Sequence, residues 1–226
     1  MTNVLHRGAV ALCCCALFLT AACAERAARW EQNIAKFEQA DATNPPPKEG
    51  ILFLGSSSIR MWDLDRWFPG MDAINRGFGG SEIADSTHFA DRIVLPYAPE
   101  VIVFYAGDND IAGGKKARVV AEDFKTFAKT VWEHLPETRI VYIAIKPSIA
   151  RWSLVEEMRK ANQRILTYCA TEERLTFVDV DTPMLGEDGK PRPTLFGKDG
   201  LHLSDAGYAL WTKLVMPHLA KEEDDG

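Results

Sequence analysis

A chain of 226 residues, 46% of them hydrophobic, carries enough apolar material for one sizeable core and is short for two domains. Its net charge of -6 gives no electrostatic case for a nucleic-acid partner. Charges are spread along the chain except in Lys221-Glu222-Glu223-Asp224-Asp225, which reads as a solvated terminus.

Taken in order, Arg7 precedes an apolar run from Ala9 to Ala22 that is too short and too rich in small residues to span a membrane. It has signal-peptide form, so residues 1–23 are expected to direct export. Two cleavage readings stand side by side. Ala22-Cys23-Ala24 fits the small-x-small rule of ordinary signal peptidase, whereas Thr20-Ala21-Ala22-Cys23 resembles a bacterial lipobox that would lipidate Cys23 and attach the protein to a membrane. Either way the expected location is outside the cytoplasm, as a periplasmic protein or a membrane-anchored lipoprotein. Cys13, Cys14, Cys15 and Cys23 all fall in this segment, and the lone Cys169 of the body can form no internal bridge.

Residues 24–50 predict a helix and a linker. From about Glu25 to Ala40, Trp30, Ile34 and Phe37 recur at helical spacing, and Asn44-Pro45-Pro46-Pro47 stops the pattern. Residues 51–226 read as one domain. Ile51 to Leu54 is a short apolar strand ended by Gly55-Ser56-Ser57-Ser58. Trp62 to Phe68 is a short helix or turn, Asp72 to Arg76 a second strand running into Gly77-Phe78-Gly79-Gly80, and Glu82 to Leu95 a helix stopped by Pro96. Val101 to Tyr105 is a third strand, breaking at Ala106-Gly107-Asp108-Asn109-Asp110. Val120, Phe124, Phe127, Val131 and Leu135 mark an amphipathic helix over Arg118 to Leu135. Arg139 to Ile145 is a fourth strand and Leu175 to Val180 a fifth. Between them Leu154, Met158, Ala161, Ile165 and Cys169 mark a helix, which makes Cys169 a packing residue. Ser204 caps the last helix, with Leu210, Leu214 and His218 as its candidate buried face.

Alternating strands and helices, with strands that are near-continuous apolar runs, call for a parallel sheet covered on both faces. The expected fold class is α/β, a three-layer α/β/α sandwich around a five-stranded parallel sheet in flavodoxin-like order.

Four segments then fall on one edge of that sheet: Gly55-Ser56-Ser57, Gly77-Phe78-Gly79-Gly80, Gly107-Asp108-Asn109-Asp110 and Asp199-Gly200-Leu201-His202. Singly, each has a plain explanation as a cap or a turn. Together they supply what acyl transfer from an ester needs. Ser57 can attack, His202 can take its proton, and Asp199, three residues before the imidazole, can fold back to orient it. The Ser57 and Gly80 amides and the Asn109 side chain can face the developing oxyanion.

These four ordered blocks resemble the GDSL or SGNH hydrolases, from Ile51 to about Tyr208. The resemblance implies the same sandwich, Ser57 as nucleophile, Asp199 and His202 as the rest of the triad, and Gly80 and Asn109 among the oxyanion donors. Ser56 stands where that family commonly has Asp. Position relative to Gly55 favours Ser57, and a bent strand-to-helix turn points Ser56 and Ser58 elsewhere. The α/β-hydrolase elbow Gly-x-Ser-x-Gly does not fit, because Ile59 occupies the second glycine's place. No His-Glu-x-x-His or paired-cysteine motif is present, so neither a metal nor another cofactor is expected. His88, His134 and His218 read as surface or packing residues. Lys146-Pro147-Ser148 and Arg151-Trp152 approach the same edge, either to line the acyl or alcohol pocket or simply to lead into the next helix.

The expected activity is that of a serine esterase acting on a lipid or acetylated-carbohydrate ester, small or polymer-borne. The competing class is a flavodoxin-like binder that holds a phosphate- or sugar-containing ligand at the Gly-Ser turn without turnover. That alternative offers no reason for Asp199-x-x-His202.

Overall fold

The computed structural model describes residues 28–220, so the run expected to direct export, with Cys23, and the acidic tail lie outside the described residues. Helix α1, residues 28–43, runs up to the Asn44-Pro45-Pro46-Pro47 break and belongs to one compact unit, while Asn44 onward forms the other. No helix among the described residues is long and apolar enough to cross a membrane.

Five short apolar runs make the sheet of the larger unit: β1 (Ile51–Gly55), β2 (Ala73–Gly77), β3 (Val101–Tyr105), β4 (Arg139–Ile143) and β5 (Leu175–Val178). Every neighbouring pair is parallel, in the order β2-β1-β3-β4-β5. This is the flavodoxin-like order expected from the alternation of elements. Around it run α2 (Ser57–Arg60), α3 (Leu64–Trp67), α4 (Ile83–His88), α5 (Ala90–Ile93), α6 (Asp108–Ala112), α7 (Ala117–Trp132), α8 (Val155–Cys169) and α9 (Asp205–Val215).

Alternate residues of the strands serve opposite layers. On one side Phe53, Val103, Tyr105 and Val141 join a cluster with Trp62, Phe68 and Trp211. There the Tyr105 and Trp211 rings lie 4.8 Å apart, and Trp62 and Trp211 5.7 Å apart. On the other side Phe104 stacks on Phe127 at 4.4 Å, and Tyr142 meets Phe124 at 4.6 Å. Helix α7 thus buries the stripe its spacing predicts, Val120, Phe124, Phe127 and Val131. Removing each large side chain from water contributes about 1.5–3 kcal/mol, which makes these two layers the main support of the sheet. Helix α8 buries Met158, Ala161, Ile165 and Cys169. Burial pushes the Cys169 thiol up to about 12, so it stays protonated and serves as packing.

Two elements differ from the sequence expectation. The helix predicted over Glu82 to Leu95 is broken into α4, α5 and a short 3-10 turn, Leu95–Tyr97. Phe89 sits at the break with φ -98 and ψ 9, and its ring is buried against Phe78, 6.3 Å between centroids. A straight helix would give up that contact. In α9 the buried face is Gly207, Tyr208, Trp211 and Val215 rather than Leu210, Leu214 and His218. The two large aromatics take the core, and Leu210 and Leu214 pack partly buried at its flank.

Strand β1 lies between β2 and β3, so the chain leaves it first to one side and then to the other. The crevice at the carboxyl ends of β1 and β3 is the topological switch point, where α/β sheets place their ligands. Gly55 closes β1 there with φ +139, and a Cβ at this position would overlap the Tyr105 carbonyl. Gly55→Ala is accordingly expected to cost about 3 kcal/mol or more, strain and overlap acting together. A urea unfolding curve measures this, and an unchanged midpoint would show that the turn relaxes freely.

Candidate active site

Just past Gly55 the chain turns. Ser56 is extended, at φ -88 and ψ -158, and α2 begins at Ser57. The three serines therefore point in different directions. Ser56 and Ser58 are each 1% exposed. The Ser58 hydroxyl faces inward, 3.3 Å from Lys146 Nζ, and the Ser58 carbonyl accepts from the Tyr208 hydroxyl at 2.9 Å. Ser57 alone is only half-buried.

The Ser57 Oγ lies 3.1 Å from Nε2 of His202, 145 residues further along the chain. The other ring nitrogen, Nδ1, is 2.6 Å from Asp199 Oδ2. Asp199 is itself fixed, because its Oδ1 accepts from the amides of Leu201 at 2.9 Å and His202 at 3.0 Å. The fold-back across three residues is held by a small loop in which the Gly197 amide donates to the His202 carbonyl at 2.8 Å. Phe196 and Leu203 close that loop as an antiparallel bridge. The hydrogen bond from the His202 ring, followed by those from the two amides, holds the Asp199 carboxyl well below the usual carboxylate range. A carboxylate that accepts from Nδ1 leaves Nε2 as the acceptor facing the serine hydroxyl.

The expected oxyanion donors lie on the segments that follow β1, β2 and β3. Ser57 is the first residue of α2, so its amide has no partner within the helix. Gly80 is exposed on the turn after β2, with φ +83. Two ties hold that turn from the Gly107–Asp110 side. Asn109 Nδ2 donates to the Ser81 carbonyl at 2.9 Å, and the buried Asp110 carboxylate accepts from the Ile83 amide at 3.3 Å. Asp110 also meets Lys115 at 2.9 Å. Burial is the larger influence on the Asp110 carboxyl and raises it to about 6 despite that ammonium.

Several residues that shape the site were not legible as such in the sequence. Asn75 donates to the carbonyls of Ile59 at 2.7 Å and Trp62 at 3.1 Å, tying the end of α2 to β2. Asn162 clasps the backbone of Ile145, accepting from its amide at 2.8 Å and donating to its carbonyl at 2.9 Å. That clasp sets the exit of β4, which delivers Lys146. Lys146 was a candidate pocket residue; instead it is 1% exposed and lies beneath the site. Its Nζ is 2.9 Å from the Tyr105 hydroxyl and 3.2 Å from Asp108 Oδ2. Arg151 Nη1 is 3.0 Å from the same Asp108 oxygen, and Arg151 Nη2 donates to Asn109 Oδ1 at 3.0 Å. Burial alone would raise the Asp108 carboxyl, but Lys146 and Arg151 together outweigh it and hold it below its ordinary range. Burial lowers the Lys146 ammonium, with Asp108 opposing.

Trp152 does border open space. With Ile149, Lys190, Pro191, Arg192 and Pro193 it lines a cavity of about 400 Å³. Ile149 packs beside Gly200, and the Ala150 amide donates to the Gly200 carbonyl at 3.0 Å, so this cavity adjoins the Asp199–His202 loop. A cavity of similar volume bordered by Glu100 and Arg139 opens at the amino ends of β3 and β4, the opposite edge of the sheet from Ser57. His88 and His134 are exposed and His218 is half-buried; their sequence positions place none of them in the four site segments. Among the described residues no group of three or more His, Cys, Asp or Glu is arranged to hold a metal ion.

The family model for the GDSL-like lipase/acylhydrolase family matches residues 58–210. The chain belongs to that family. Solved structures agree on the fold of this GDSL-like protein. A Streptococcus pneumonia protein named after platelet activating factor superposes with a TM-score of 0.76 at 20% identity, over 90% of this chain and 99% of the other. A GDSL-like lipase from Bacteroides thetaiotaomicron gives 0.72 at 20% identity, over 83% and 97%. A family 3 carbohydrate esterase from Clostridium thermocellum gives 0.60 at 15% identity, over 75% and 96%. No curated protein sequence matches the GDSL-like chain.

Proposed function

We propose that this GDSL-like hydrolase is a serine esterase with Ser57, His202 and Asp199 as its triad. One observation carries the reading: three side chains from two distant segments make a continuous hydrogen-bonded relay, Ser57 to His202 at 3.1 Å and His202 to Asp199 at 2.6 Å. His202 Nε2 takes the hydroxyl proton as Ser57 Oγ attacks the ester carbonyl carbon. The oxyanion forms facing the amides of Ser57 and Gly80 and the second Nδ2 hydrogen of Asn109. Collapse expels the alcohol, which takes the proton from Nε2 and leaves an acyl-serine. Water, deprotonated by the same nitrogen, then releases the carboxylic acid. The relay completes this cycle without a metal. The substrate belongs to the lipid or acetylated-carbohydrate esters. Its acyl or alcohol group is assigned to the cavity bordered by Ile149 and Trp152, whose apolar lining beside the catalytic loop supports the reading. The signal-like run from Ala9 to Ala22 supports export, with Cys23 as the attachment point if it is lipidated.

Asp199→Asn tests the relay. With Nδ1 no longer donating to a carboxylate the wrong tautomer is favoured, and kcat is expected to fall by about 10⁴-fold with KM little changed.

A further inference from the structure

The Asn109 amide can meet an oxyanion only if its nitrogen, not its oxygen, faces the site, and the residues around it decide which. The Ser81 carbonyl can only accept, so the atom 2.9 Å away is the nitrogen. The Arg151 guanidinium can only donate, so the atom 3.0 Å from Nη2 is the oxygen. A flip would place two acceptors against each other at Ser81 and two donors against each other at Arg151. Arg151 is in turn held where it is, with Nη1 3.0 Å from the buried Asp108 and its neighbour Ala150 bonded to Gly200 of the catalytic loop.

We propose that Arg151 is a positioning residue for catalysis: by donating to Asn109 Oδ1 and leaning on Asp108, it locks the amide with its second N–H toward the oxyanion. The inference rests on the reading of this site as an esterase in which Asn109 is an oxyanion donor. Arg151 touches no reacting atom. Its effect passes through Asn109, so the two residues form one unit and their substitutions do not add.

A double-mutant cycle in turnover of a short p-nitrophenyl ester tests this. Arg151→Met should lower kcat by about 10²-fold, the scale of one lost oxyanion donor, while KM shifts by less than about threefold. Asn109→Ala should produce a loss of similar size, and Arg151→Met added to Asn109→Ala should change kcat by less than about twofold. Arg151→Lys keeps a cation beside Asp108 but loses the fork, so it should fold as the unmodified chain does and still lose most of the rate. It stands in for Arg151→Met if that variant does not fold. Full kcat in Arg151→Lys, or equal fold-losses with and without Asn109, would overturn the positioning role alone. Absence of turnover in the unmodified chain would overturn the esterase reading and this inference with it.

Discussion

Ser57→Ala is expected to lower kcat by about 10⁶-fold, the scale seen when a triad loses its nucleophile, and to leave the fold unchanged. The second half of that expectation follows from where the hydroxyl sits. Ser57 is half-buried and, among the described residues, its Oγ bonds only to the partly exposed His202 ring, so its removal strands no buried polar group there. The stability change should stay within about 0.5 kcal/mol. Ser58, one residue on, is the contrast: its hydroxyl is enclosed beside Lys146 and cannot reach a substrate. Turnover of a p-nitrophenyl ester and a thermal melt measure both halves. Turnover within about tenfold of the unmodified protein would remove Ser57 from the mechanism.

Lys146→Met is expected to destabilise the protein by about 3–5 kcal/mol, the usual cost of breaking a buried ion pair from one side. Lys146 is 1% exposed and bonds to Asp108, Tyr105 and Ser58. Without it, Asp108 keeps the Arg151 guanidinium as a cationic partner while still buried. The sign of the pH dependence follows. In the intact protein the Asp108 carboxyl is held below its ordinary range, so its pairing stabilises above that range and the stabilisation is lost as acid protonates the carboxylate. Losing Lys146 raises the carboxyl, so the penalty should be largest near neutrality and shrink as the pH falls. Urea unfolding at about pH 7 and at about pH 3, on either side of the ordinary carboxylate value, tests both the size and the slope. A penalty below about 1 kcal/mol, or one that grows in acid, would mean that the ammonium is replaced there at little cost.

What could be read from the sequence, and what could not, divides along a physical line. The five strands were legible because a central parallel sheet needs continuous apolar runs, and Val101 to Tyr105 is such a run. The Asp199–His202 pair was legible because both residues lie in one tight loop, where spacing alone decides whether they can meet. The meeting of Ser57 with His202 became legible once both were placed at one edge of the sheet. Lys146, Asp108 and Arg151 stayed hidden because their roles are set by long-range contacts and by depth below the surface, and no local period encodes either. Phe89 breaks a helix for the sake of a buried contact with Phe78, and the pattern around it gave no signal of that preference. In α9 the choice between Leu210 and Trp211 for the core was made by Tyr105 and Trp62 on the facing layer.

The activated state of Ser57 is the claim on which the rest depends, and a fluorophosphonate probe reads it directly. Incubation of the folded protein followed by peptide mass spectrometry should find one phosphonyl adduct, on the peptide carrying Ser57, and His202→Ala should abolish it. A folded sample left unlabelled would contradict the account and favour a protein that binds its ligand without turning it over, and a label at a different residue would contradict the assignment of Ser57.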